Sequence, residues 1–288
     1  MANTIALKRR IQSVKNTRQI TKAMELVSAS KMRRAQEHAL RSRDFRNLAR
    51  QILMRLNEVV DVRKHPLYKQ RTVTRSLRIL ITSDRGLAGA YNSNLLRQFT
   101  VELKKDESAG IKSSVILVGK QGARLVARLK DVEVLGAYTN FPDQPAANDI
   151  QPILETIIHE FKAKSTDVVA VTYTDYISSI NQVVKTDQLL PAVFHEVKID
   201  PELDRAIIEP SPEILLEQIT ERLIEVQLNQ AFSESQASEQ SSRMIAMKNA
   251  TDNATGLVDD LTLAFNTARQ AAITQELAEI TGGAEAIQ

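Results

Sequence analysis

Residues 1–65 contain neither glycine nor proline, and between Glu213 and Thr281 only Gly256 interrupts the same pattern. Glycine lacks the side chain that restricts a helical backbone, and proline lacks the amide hydrogen that a helix needs. Stretches free of both and rich in Ala, Leu, Glu, Lys, Arg and Gln therefore run on as helix. Two terminal helices are predicted, each far longer than the usual 11 or 12 residues. At 1.5 Å per residue each can reach about 90 Å. A helix of that length cannot bury its apolar stripe in a domain of this size, so it needs another long helix beside it. The C-terminal segment carries a heptad seam at Met247, Thr251, Ala254, Val258, Leu261, Phe265, Ala268, Ala272 and Gln275. A weaker seam on the first segment is read from Ile11, Val14, Ile20, Met24 and Val27, then Phe45, Leu48, Ile52, Leu56 and Val59. Small residues (Ser28, Ala29 and Ser30 on one segment, Ala268, Ala271 and Ala272 on the other) allow close approach of two helix backbones. Both segments join one middle region near residues 66 and 212, so they are expected to leave it together and pair as an antiparallel coiled coil.

The middle changes character. Short β-type runs at 77–84, 114–118, 132–136 and 167–174 alternate with amphipathic stretches at 92–106, 120–130 and 150–163. That alternation predicts an α/β sheet with crossover helices. "INQVVKTDQLLPAV" adds one further strand, expected to pair as an edge hairpin. Ser211-Pro212-Glu213 reads as a helix start: a capping hydroxyl, proline at the first position, and an acid where the dipole favours one. The organisation expected is therefore 1–65 N-terminal helix, 66–210 central α/β domain, and 211–288 C-terminal helix. "SESQASEQSS", 233–242, lies inside that last helix as a polar set, closely packed or exposed.

The 288 residues include no cysteine, which removes disulfides, thiolate zinc sites and cysteine nucleophiles and makes a reducing, cytoplasmic setting the expectation. No run of about 18 apolar residues and no signal-peptide core occur, so a soluble, at most peripheral, chain is expected. The net charge of +3 conceals an asymmetry. Residues 1–50 hold 13 Lys and Arg against 3 acids, and residues 211–288 hold 4 against 12. The two ends are electrostatic complements. A basic nucleic-acid binder is the alternative this suggests. Phe45 as the one aromatic residue in the first fifty, and an acidic helix in the same chain, weigh against it.

"ITSDRGLAGAYNSN", 81–94, offers the best enzyme alternative, a nucleotide held by a glycine loop before a helix. It lacks both the Walker Gly-Lys-Ser/Thr and the third glycine of the dinucleotide fingerprint. A tight turn with Asn92 or Ser93 capping the next helix is the simpler reading, and "VGKQGARL", 118–125, is a second turn of the same kind. His38, His65, His159 and His195 show no metal spacing, and Glu276 with Glu279 lack a companion nucleophile. Neither a catalytic residue, a cofactor nor a metal is assigned.

Three stretches resemble the γ-subunit family of F-type ATP synthases. "IQSVKNTRQITKAMELVSASKMRRA", 11–35, is similar to its N-terminal helix, with Asn16-Thr17, Ile20-Thr21, Ala23-Met24, Val27 and Lys31 in place. The 81–94 loop is the second. "ITQELAEITGGAEA", 273–286, looks like the family's terminal signature through Ile273, Thr274, Glu276, Glu279, Gly283, Ala284 and Ala286. The resemblance implies an antiparallel coil plus a Rossmann-like α/β domain without nucleotide, a non-catalytic rotor shaft inside a ring of α and β subunits, and turning by the c-subunit ring. Arg269, Gln270, Thr274, Glu276 and Glu279 then correspond to contacts with the catalytic ring, and Lys22 and Met24 to N-helix positions near an acidic lever of β. Glu209 and Pro210, in "IIEPSPE", correspond to the foot that meets the c ring and the ε subunit. No nucleic acid and no direct membrane contact are implied. The absence of the cysteine-bearing insertion of chloroplast forms, and a start at the family motif, place the expectation at the cytoplasmic face of a bacterial plasma membrane.

Overall fold

The computed structural model describes residues 2–127, 132–143, 145–194, 200, 209 and 211–285, with the side chains of 2–3, 41–44, 147 and 282–285 outside the description. Helix α1 spans Ala2–Leu56, followed by short 3-10 turns at Val62–Lys64 and Pro66–Tyr68. The alternating region follows as β1 Arg75–Ile81, α2 Tyr91–Ser108, β2 Lys112–Val118, α3 Lys120–Val126, β3 Glu133–Tyr138, α4 Ala147–Lys162, β4 Val168–Tyr176 and β5 Gln182–Leu190. Helix α5, Pro212–Glu285, closes the chain with 74 residues. Ser211 caps it as its sequence implies, its hydroxyl accepting the Ile214 amide at 3.3 Å. The described chain forms two compact units, Met1–Ser28 with Arg243–Gln288 and Ala29–Ser242.

The larger unit is a three-layer α/β structure. Its sheet runs β3-β2-β1-β4-β5, with β1 to β4 parallel and β5 an antiparallel edge strand. Central β1 is covered on both faces, so successive residues Ile79, Leu80 and Ile81 are all buried rather than alternately exposed. One face seats Leu77, Ile79 and Ile81 against Ile150, Ile153, Ile157 and Phe161 of α4 and against Ile224, Leu228 and Phe232 of α5. The other seats Leu80, Val115 and Leu117 against Leu95, Phe99 and Leu103 of α2. Phe99 and Phe161 are fully buried, each contributing about 1.5–3 kcal/mol by leaving water. Within this unit α1 and α5 run antiparallel: His38 meets Ser233 and Arg46 meets Gln230, while Leu53 and Leu56 share a cluster with Leu216 and Leu223.

The smaller unit is coiled coil alone. On α5 the predicted seam holds: Met247, Ala254 and Val258 are buried, and Thr251, Leu261, Phe265, Ala268 and Ala272 are half-buried. Gln275, its last predicted member, is exposed. On α1 the expected seam holds at Ile11 and Val14 and is displaced by one residue beyond them. Of its expected second half Leu56 is buried and Ile52 half-buried, while Phe45, Leu48 and Val59 are exposed. Ile20 and Val27 are 60% and 55% exposed, whereas neighbouring Thr21 and Ser28 are buried. The side chains turned inward, at steps of three and four, are Leu7, Ile11, Val14, Arg18, Thr21, Glu25 and Ser28, with Met24 also half-buried. The Thr21 and Thr251 hydroxyls lie 2.8 Å apart. The reason is close packing: small and hydroxylated residues bring the backbones together where branched apolar ones would hold them apart.

Candidate functional site

The carboxyl ends of a parallel sheet, where strand order reverses, are where α/β domains hold ligands. Here β1, flanked by β2 and β4, marks that point, and the chain's own groups fill it. The two glycine loops that separately suggest phosphate binding meet each other. Asp84, from the first, accepts the amides of Lys120 at 3.1 Å, Asn140 at 3.0 Å and Phe141 at 3.1 Å. Amides of this kind would face a phosphate; an internal carboxylate holds them. Gly119, from the second loop, has φ +92°, and a Cβ there would meet the Thr82 carbonyl oxygen at 2.1 Å. That glycine is required by close approach to β1, not by a ligand.

Neither Asn92 nor Ser93 caps α2. The Asn92 side chain accepts the Ser83 amide at 3.2 Å and bonds the Ser83 hydroxyl, tying the helix to the end of β1, while α2 starts after Ala90 without a side-chain cap. Helix α5 then crosses the same edge. Ser235 meets the Tyr91 hydroxyl at 2.6 Å, Ser238 donates to the Thr174 carbonyl at 3.1 Å, and Ser241 donates to the Ser179 carbonyl at 2.8 Å. The serine-rich 233–242 stretch is thus the closely packed alternative: short side chains let α5 lie against the strand ends, and Ser238 and Ser241 are fully buried.

The residues expected to contact partners lie on the coil. Lys22 is exposed and pairs with Glu25 at 3.0 Å, and Met24 is half-buried in the seam. Arg269, Gln270, Thr274, Glu276 and Glu279 are all exposed. They divide between two helix faces. Arg269, Glu276 and Glu279 follow heptad spacing on one, and Gln270 and Thr274, four apart, share the other. Between them runs a stripe that the sequence reading missed: Ile273, Leu277 and Ile280, 48%, 58% and 68% exposed. Its i, i+4, i+7 spacing was visible, but it lies off the seam. Lys8, Arg9, Arg10 and Lys15 are exposed and reach no carboxylate among the described residues, so the basic face of α1 is not neutralised by α5 there. Glu209 is exposed; Pro210, Ala286 and His195 lie outside the described residues, as does the side chain of Ala284. No group of metal-ligating side chains occurs among the described residues.

An antiparallel coil that presents apolar and charged stripes outward, joined to an α/β domain whose ligand crevice is closed by its own helix, defines a coiled-coil stalk protein rather than a nucleotide-binding fold of the enzyme type. A family model described as ATP synthase matches residues 3–287. The chain is 43% identical to the ATP synthase gamma chain of Herpetosiphon aurantiacus, over all of this chain and 99% of that one. It is 38% identical to that of Moorella thermoacetica over the full length of both. Among solved structures, a chain of the central stalk and c ring of the Tetrahymena thermophila mitochondrial ATP synthase superposes with a TM-score of 0.59 at 27% identity, covering 80% of this chain and 99% of that one. A chain from the Euglena gracilis mitochondrial enzyme has the same fold, with a TM-score of 0.67 at 20% identity over 99% and 95%. The chain belongs to the ATP synthase gamma-chain family.

Proposed function

We propose that the chain is the central rotor shaft of a proton-translocating F-type ATP synthase, coupling rotation of a c ring to conformational change at catalytic β subunits. It does no bond chemistry of its own. The observation that carries this reading is the outward stripe Ile273, Leu277 and Ile280, flanked by Arg269, Glu276 and Glu279 on one side and Gln270 and Thr274 on the other. Apolar surface of this kind on a rigid helix marks a protein interface. An asymmetric shaft that contacts each β subunit differently biases each toward a different state, which is how differential contact becomes mechanical coupling.

In this reading the ring of α and β subunits surrounds the coil, Lys22 and Met24 face β, and the unneutralised cations of α1 suit an acidic protein surface. Glu209 and Pro210 belong to the foot that meets the c ring and ε. No helix among the described residues is long and apolar enough to cross a membrane, which agrees with attachment through partners at the cytoplasmic face of a bacterial plasma membrane. Affinity purification of the tagged chain from its own cells should recover α, β and ε together. Recovery of the chain without them defeats the assignment. The nucleotide-enzyme reading predicts saturable binding of ATP, ADP or NAD in calorimetry; with Asp84 and α5 filling the crevice, none is expected.

A further inference from the structure

The serine-rich stretch of α5 contains one side chain that crevice packing does not explain. Glu234 is 6% exposed and lies against the face of the sheet that carries Tyr173 and Asp175 of β4 and Lys185 and Asp187 of β5. Its partners among the described residues can be counted. The Tyr173 hydroxyl has one proton, which it donates to Asp187 at 2.9 Å. Lys185, the cation these paired strands place on that face, also pairs with Asp187, at 2.9 Å. Glu234 accepts the Gln230 side-chain amide at 2.6 Å, and Gln230 is held from α1 by Arg46. The neighbouring Ser233 is held from α1 by His38. Half-buried Asp187 therefore takes both the tyrosine proton and the cation, while Glu234, itself buried, lies near Asp175 and forms no ion pair among the described residues.

We infer that Glu234 is a proton-operated latch between α5 and the β4–β5 hairpin, fastening the helix when it carries a proton and loosening it when it does not. Protonated, Glu234 donates to the Tyr173 oxygen while Tyr173 donates to Asp187, so every hydrogen-bonding group on that face is matched. Ionised, it faces Asp175 and must compete with Asp187 for the single Tyr173 proton. Burial, then repulsion from Asp175, pushes its carboxyl above the ordinary glutamate value, although the Gln230 and Tyr173 contacts and Lys185 work the other way. Because the folded form holds its proton to higher pH than the unfolded chain, this stabilisation is complete below the ordinary value of 4.5 and is lost as pH rises through the folded one.

Carbon-13 NMR titration of the full chain should place the Glu234 carboxyl midpoint above 4.5 and that of exposed Glu217, which Lys162 holds down, below it. Hydrogen exchange, corrected for its intrinsic pH dependence, should show protection of 230–240 and 182–190 falling as pH rises through the Glu234 midpoint. Each unit separating folded and unfolded midpoints corresponds to about a tenfold change in the opening equilibrium. Glu234→Gln, which keeps a donor toward Tyr173, should flatten that response. A Glu234 midpoint at or below 4.5, or an unchanged pH response in Glu234→Gln, overturns the inference. The titration needs only the natural chain, so it decides the matter even where the variant folds poorly.

Discussion

At the scale of single residues, two positions bear more than their neighbours. Gly119→Ala forces a Cβ into the Thr82 carbonyl at a backbone angle that only glycine tolerates well, so the variant should lose about 2–4 kcal/mol in urea unfolding. Loss within error of zero means the β1–α3 approach is looser than described. Asp106 is the second. Burial works against its charged form, but hydrogen bonds from Arg78, at 2.6 Å to each oxygen, and from Ser76 at 2.7 Å, the Arg78 charge, and Ser113 outweigh it and hold the carboxyl below the ordinary value. A depressed carboxyl stabilises above its unfolded value and loses that contribution as pH falls through the folded one. Asp106→Asn should therefore be less stable at neutral pH and show a flatter acid limb below about pH 4 than the natural chain. Parallel limbs in the two proteins exclude this role.

At the scale of elements, the register of α1 is the testable point. Ser28 is buried and Val27 is exposed, the reverse of what hydrophobicity suggests. Ser28→Leu should cost about 1–3 kcal/mol through overpacking, while Val27→Leu should stay within about 0.5 kcal/mol. Equal thermal melting of both variants removes the assigned seam. The reading of elements from sequence succeeded where it rested on backbone chemistry. Ser211, Pro212 and Glu213 start α5, and the strands and crossover helices fall where apolar runs and breakers alternate. It fails at Ile20, Val27, Phe45, Leu48 and Val59, which are exposed, and at the cap of α2. Hydrophobicity points to a seam of large apolar residues, but close helix packing uses Thr21 and Ser28. Proximity in sequence suggests a cap from Asn92 or Ser93, but the better partner of Asn92, Ser83, becomes available only when β1 and α2 are brought together.

At the scale of the whole molecule, the outward stripe near the end of α5 belongs to the coiled-coil unit, apart from the unit that holds the sheet. Removal of residues 269–288 should leave the sheet folded by near- and far-ultraviolet circular dichroism. Reassembled with its partners, the shortened chain should couple ATP turnover to proton movement more weakly than the full one. Full coupling by the truncated shaft would show that Arg269, Gln270, Thr274, Glu276 and Glu279 are dispensable for the proposed function. The charge asymmetry belongs to this scale too. The sequence suggests that α5 neutralises α1, but Lys8, Arg9, Arg10 and Lys15 find no acid among the described residues, so that charge remains available to another chain.

The sequence by itself determined the two long helices, the heptad seam of α5, the α/β alternation, the absence of thiol chemistry and the family signatures, because these depend on residue type and local spacing. The tertiary structure alone decided what the glycine loops do. Asp84 lies 36 residues or more from the amides it accepts, and Ser235, Ser238 and Ser241 close the crevice from a helix more than a hundred residues beyond β1. Those partnerships join groups remote in sequence, and no local pattern encodes which of them meet. A loop that resembles a phosphate cradle is instead held closed by the chain's own carboxylate and its own helix, and that pairing existed only once the sheet had formed.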